Sequence, residues 1–298
     1  YGLHVKFVDI DKDTLNIDLS KLADAITEKT KVILLVNLLG NPCDFNAINT
    51  LIKGKGITLL EDNCESMGAT FGGKQAGTFG LMGTFSSFFS HHIATMEGGC
   101  VITNDEEIYH ILLCLRAHGW TRNLPNENFL TGIKGSDPFE ESFRFILPGY
   151  NVRPLEMSGA IGREQLKKLK GFIDMRRSNA LVFLESFNNH PFIGIQKEVG
   201  MSSWFGFAII LHEDSPVSRK QLVSTFSENN IECRPIVTGN FLKNKEVLSY
   251  FDYSVSGSVP NAEYIETHGL FVGNHQLDIS DELKHLSSVI EKIFSQFL

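Results

Sequence analysis

The stretch Phe85–Gly99, "FSSFFSHHIATMEGG", joins short hydroxyls, an aromatic pair and a closing Glu-Gly-Gly. Ser86 and Ser87 offer hydroxyls suited to phosphate oxygens, or are ordinary serines at a strand edge. A carbonyl cofactor asks for a lysine in such a loop, and His91 and His92 stand there instead. Adjacent residues of extended chain point apart, so one imidazole facing a site is favoured over a chelating pair. No cysteine or carboxylate lies nearby at metal-binding spacing, so no metal is expected. Upstream, Asp62 ends an apolar run in "LLEDNCESMGA", with Glu65 close behind. A carboxylate at that place either balances a protonated heterocyclic nitrogen or satisfies a turn. Further along, Arg116, His118, Arg122 and Arg153 gather positive and protonatable groups within an acidic chain. They suit an anionic ligand such as a nucleotide diphosphate, or else surface ion pairs. Trp120 and Phe143 are stacking surfaces for a base or sugar, or core. Arg234 in "ECRPIV" and Asn240 stand open between site and structure.

The elements around these residues alternate. "DLSKLADAI" has helical spacing with Asp18 or Ser20 as cap, and "KVILLVNLLG" reads as a strand apolar on both faces. "FNAINTLIKGKG" reads as a helix closed by glycine, and "ITLLEDN" as the next strand. Apolar strands alternating with helices predict an α/β fold, a mostly parallel sheet sandwiched by helices, with ligands at the carboxyl edge. Asp62 and Glu65 fall at that edge. "CVITND" and a helix from residue 106 follow, then an irregular stretch from Trp120 to Pro154 whose length points to function and whose aromatics argue against disorder. A long helix over 155–187, "SSWFGFAIIL", a helix near 218–229, "IECRPIV" and a final helix over 281–297 suggest a smaller α+β domain. The expected division is 1–172 and 173–298.

The formal charge of -8 is spread along the chain, which argues against nucleic acid and anionic membrane as partners. No apolar run reaches the ~20 residues of a membrane-spanning helix. Five scattered cysteines without paired spacing suit reduced thiols in the cytoplasm. The chain starts at Tyr1 and passes at once to strand-like "HVKFVDI", so a preceding segment is expected to be absent from it.

In order along the chain, "DIDKDTLNID", "EKTKVILLVNLLGNPCD", "LLEDNCESMGATFGGKQAGTFG", "TFSSFF…EGGCVITND", "GYNVRP" and "IECRPIV" resemble the sugar aminotransferases of fold-type-I pyridoxal 5'-phosphate (PLP) enzymes, the DegT/DnrJ/EryC1/StrS group. The resemblance covers essentially the whole chain. It implies that Asp62 pairs with the pyridine nitrogen, Glu65 lies on the ring's hydroxyl side and Ser86 holds the phosphate. Asn151 of "GYNVRP" would reach the phosphate of the other subunit, implying a homodimer with shared sites. It further implies a first phosphate turn and a ring-stacking aromatic in a segment preceding this chain. The group's cofactor-tethering lysine lies six residues before the Glu of "EGG", and here that residue is His91. This departure resembles the group's lysine-less dehydratases, which make 3,6-dideoxysugars of the colitose type for O-antigen. They imply pyridoxamine phosphate as working cofactor, glutamate as amino donor, a GDP-linked 4-keto-6-deoxyhexose as substrate and His91 as acid and base. His118, Arg122, Phe143 and Arg234 are then the expected substrate contacts.

Overall fold

The computed structural model describes residues 2–295 and 297. Strands β1 (Val32–Val36), β2 (Thr58–Asp62), β3 (Met82–Ser86) and β4 (Gly99–Ile102) form one sheet in that order. The first three run parallel, and β4 returns antiparallel to β3. Helix α1 (Leu19–Ala25) starts on Asp18, whose carboxylate accepts from the Ser20 and Lys21 N–H groups. Helix α2 (Phe45–Ile52) starts in the same way on Asp44, which accepts from Ala47 N–H. Leu22, Phe45 and Ile48 of these helices pack with Ile33, Leu35 and Leu59 of the sheet. The register sets Asp62 between Val36 and Thr84. The carboxyl ends of β2 and β3 therefore share one edge, as the alternation of elements predicts.

The sheet departs from expectation on its other face. β1 buries Ile33 and Leu35 but leaves Leu34 61% exposed, with Val32 and Val36 also exposed. Both helices packed with β1 join the Ile33 and Leu35 side, so an all-apolar strand is here half-buried. "HVKFVDI" departs as well: only Val5–Phe7 is strand, and it pairs in parallel with Tyr253–Val255 near the far end of the chain.

Five longer helices follow: α3 (Glu106–Leu115), α4 (Glu156–Phe187), α5 (Arg219–Glu228), α6 (Pro260–His268) and α7 (Ser280–Phe294). Residue 296 of the expected last helix lies outside the described residues. Strands β5 (Ile193–Ile195), β6 (Gly206–Leu211), β7 (Cys233–Arg234) and β8 (Gly269–Gly273) form an antiparallel sheet ordered β5-β6-β8-β7. Most of "IECRPIV" is irregular and contributes only the two residues of β7. Phe183, Phe187, Phe207, Phe226 and Phe294 are fully buried in the core of this unit. α4 runs unbroken through residue 172. Its Ile173 packs against Gly68 of the first sheet's loops, while Ala180, Phe183 and Phe187 enter the second core. The stretch between α3 and α4 is ordered around Leu113, Cys114 and Leu124, with a short ribbon of Glu127–Asn128 and Gly132–Ile133. Among the described residues no helix is long and apolar enough to cross a membrane.

Phe183 stacks on Phe207 with ring centres 4.4 Å apart and planes at 12°. Phe183→Ala is expected to cost about 3–5 kcal/mol of stability, seen as a lower denaturant midpoint with an unchanged slope.

Candidate active site

The end of β2 is fixed by buried polar bonds on alternating sides. Glu61, fully buried, accepts from the Gly77, Phe79 and Gly80 N–H groups at 2.6, 2.6 and 2.7 Å. These charge-assisted bonds satisfy a carboxylate that would otherwise be costly to bury. Asn63 accepts from the Asn37 side chain at 2.7 Å. Between them Asp62 points to the opposite side and is partly exposed. Its Oδ1 accepts from Cys64 N–H at 2.9 Å, so the turn reading of this carboxylate is realised. Burial, then a hydrogen bond to Asp62 and its charge, push the Cys64 thiol up to about 12. Glu65 accepts from Leu39 N–H at 2.9 Å, and burial raises its pKa, with the nearby charge of Asp62 adding to the effect. Glu65 is thus biased toward its protonated, hydrogen-donating form.

β3 delivers the second half of the edge. Ser86 ends the strand, and its Oγ accepts from Phe88 N–H at 3.2 Å, a local turn bond. His91 N–H closes onto Phe88 O at 3.0 Å and turns the chain back toward the sheet. The two imidazoles then separate, as expected for adjacent residues. His92 is fully buried and donates through Nε2 to Ser203 O at 3.3 Å. Burial, reinforced by the charge of Arg176, pushes its pKa down to about 3, so it stays neutral. His91 is half-buried, and its Nδ1 is shielded from solvent without a hydrogen-bond partner. Burial lowers its pKa and the Arg176 charge adds to this, against the opposing pull of Asp62 and the Phe88 carbonyl.

The roof over His91 comes from the second unit. Ser203 N–H donates to Gly40 O at 3.0 Å and Phe205 N–H to Leu39 O at 2.9 Å. This crossing puts the Phe205 ring 5.2 Å from the His91 ring and 5.8 Å from His92. A Cβ on Gly40, where φ is +93°, would lie 2.6 Å from Trp204 N, so only glycine admits the approach. Beside Phe205 lies Arg176 of α4, 2% exposed, with Nη1 donating to Phe205 O at 3.1 Å and Asn274 O at 2.9 Å. Reasoning from sequence missed both Phe205 and Arg176. The available signal was spacing: Ile173, Arg176, Ala180, Phe183 and Phe187 form one buried stripe, and a charge within such a stripe is anomalous.

The remaining expected residues lie apart from this cluster. Asn151 is exposed and bridges to Ala117. His118 is exposed, with left-handed backbone (φ 62°) and its N–H on Tyr150 O at 2.7 Å. Trp120 stacks between Phe143 at 5.3 Å and Phe145 at 5.7 Å, and the Arg122 guanidinium rests 3.6 Å from its ring centre. Arg234 is exposed and bonds Glu232 at 2.7 Å. Among the described residues, no hydrogen bond, ion pair or ring contact joins Asn151, His118, Arg122, Phe143 or Arg234 to the Asp62–His91 cluster.

The edge thus presents two carboxylates, Asp62 and Glu65, the latter with its pKa raised by burial, a hydroxyl, and an imidazole nitrogen without a partner among the described residues. This donor set fits a cationic heteroaromatic ring that carries a hydroxyl and a phosphate. No lysine occurs between Lys74 and Lys134 to tether such a ring from this loop. Residues 1–293 match the DegT/DnrJ/EryC1/StrS aminotransferase family. The chain belongs to that family. It is 71% identical over 292 residues to GDP-4-keto-6-deoxy-D-mannose 3-dehydratase of Yersinia pseudotuberculosis, spanning 98% of this chain and 74% of that protein. A solved E. coli GDP-4-keto-6-deoxy-D-mannose-3-dehydratase with bound hydrated PLP superimposes with a TM-score of 0.96 at 67% identity, covering 97% of this chain and 74% of that one. A GDP-4-keto-6-deoxymannose-3-dehydratase with a trapped PLP–glutamate geminal diamine matches equally, with a TM-score of 0.96 and 67% identity over 97% and 75% of the two chains. The fold-type-I architecture expected from the sequence is thereby established.

Because His92 holds off protonation until about pH 3, the unfolded chain binds a proton below 6.5 that the folded chain refuses. Stability from this group is therefore complete above pH 6.5 and declines as the pH falls toward 3, by about 1.4 kcal/mol per pH unit. Thermal unfolding between pH 7 and 4 should show this decline, and His92→Gln, which can still donate to Ser203 O, should flatten it.

Proposed function

We propose that this chain is a PLP-dependent nucleotide-sugar dehydratase that removes the C3 hydroxyl of GDP-4-keto-6-deoxy-D-mannose, with glutamate as amino donor. The observation that carries this reading is His91 at the loop position where sugar aminotransferases hold their lysine, beside an intact Asp62, Glu65 and Ser86. In its aminated form the bound cofactor supplies a primary amine for the sugar's C4 ketone and a ring that accepts an electron pair.

The chain's own residues do the rest. Asp62 supplies the fixed negative charge that keeps a ring nitrogen protonated. Glu65, held toward its protonated form, donates to the ring hydroxyl. Ser86 directs its hydroxyl at the phosphate, and Asn151 of a second copy completes that contact across a homodimer, in keeping with its exposure. His91 takes a proton on one ring nitrogen and returns it to the departing C3 hydroxyl. Its lowered pKa favours the neutral imidazole that must act first, and no lysine stands in its loop to compete for the cofactor. His118, Arg122 on its Trp120–Phe143 stack and Arg234 meet the nucleotide and its phosphates. The large unit ends near residue 172, and the protein works in the cytoplasm, where its free thiols stay reduced.

The test is mass analysis of the nucleotide-sugar product formed with PLP and glutamate. Loss of the C3 oxygen is expected, whereas an amine gained at C4 would make the chain a transaminase. His91→Asn should abolish deoxygenation while cofactor absorbance remains, and undiminished turnover in that variant would remove His91 from the reaction.

A further inference from the structure

We propose that Arg176 is a positioning residue, a fixed buried cation that shares the Phe205 ring as neighbour with His91 and keeps that imidazole ready to accept a proton. A guanidinium withdrawn from water is normally matched by a carboxylate, because its desolvation costs several kcal/mol. Arg176 has none. At 2% exposure it donates through Nη1 to two neutral carbonyls, Phe205 O and Asn274 O, and its Nε has no partner among the described residues. Burial pulls its pKa down only to about 10, so it remains charged at neutral pH. Its cage is stiff: the Asn274 side chain donates to Arg176 O at 3.0 Å and Trp204 O at 2.8 Å, and accepts from Asn179 at 3.1 Å.

Replacing such a charge with an apolar side chain is often neutral or stabilising, so stability alone does not account for it. Its placement does. The guanidinium carbon lies 5.9 Å from the Phe205 ring centre, and the His91 ring lies 5.2 Å from that same centre. The groups facing His91 are Arg176 from α4, Asp62 from β2 and His92 from its own loop, the last neutral. Asp62 alone would draw a proton onto His91. Burial and Arg176 together outweigh it. A cationic ring held by Asp62 would cancel that carboxylate's charge and leave Arg176 unopposed.

The inference rests on the proposed role of His91 only in its kinetic arm. Protein labelled with 15N-histidine is titrated by NMR, with His91→Asn identifying the signal. In the unaltered protein His91 should protonate below the ordinary histidine range. Arg176→Gln should move that titration upward, and the acid limb of kcat/KM should rise with it, because activity requires the neutral ring. Arg176→Lys, which keeps the charge, should leave both near their original place. Arg176→Met, which removes the charge without burying a new polar group, should reproduce the upward move even if Arg176→Gln does not fold. An ordinary His91 titration in the unaltered protein, or one unmoved by Arg176→Gln or Arg176→Met, overturns the proposal. The NMR arm reads out whether or not the protein deoxygenates a sugar.

Discussion

The site depends on one close crossing of backbone. Leu39 and Gly40, just beyond β1, accept hydrogen bonds from Phe205 and Ser203, just before β6. Leu39 (φ 52°) and Trp204 (φ 49°) both hold left-handed conformations to make it, at a cost on the order of 1–3 kcal/mol each. That cost is sustained because the same backbone serves several partners. Leu39 N–H satisfies Glu65, Ser203 O satisfies His92, and Phe205 O satisfies Arg176. Without the crossing, the carboxylate edge and the aromatic roof would belong to separate halves of the chain.

Around it the electrostatics are arranged by solvation more than by pairing. Glu61 is buried and accepts three N–H bonds, Glu65 is half-buried with one bond and its pKa raised chiefly by burial, and Asp62, also half-buried, accepts from its own turn. Three carboxylates within five residues of sequence therefore face three different environments. The two imidazoles divide in the same way: His92 is a neutral strut, and His91 keeps an uncommitted nitrogen. Side-chain alternation along one strand and one turn is enough to produce these differences.

Much of this was legible in the sequence wherever one short segment decides the outcome. The apolar run ending at Asp62 marks a strand end, Asp18 marks a helix start, and the lysine missing at residue 91 sets the direction of the chemistry. What stayed hidden depends on distant partners. No local pattern indicates that Phe205 meets His91, since the two are joined through Gly40. The outer face of β1 reads as apolar from composition, yet its burial depends on what packs there, and sequence periodicity is silent on that. Arg176 is the intermediate case: its position in an apolar helical stripe is visible in the sequence, but what it faces is not. Arg177 in turn bonds Ser202 O and Gly68 O, joining the two units.

Helix α4 gives these contacts a mechanical meaning. At about 1.5 Å of rise per residue, its 32 residues extend on the order of 48 Å, and no proline interrupts them. One stretch of it touches the Gly68 loop, the next bears Arg176, and the next is sealed in the phenylalanine core. The helix is a lever rather than a hinge. One unbroken rod thus seats guanidinium and roof in a single piece, fastened to the Gly68 loop by Ile173 and Arg177 on either side of Arg176.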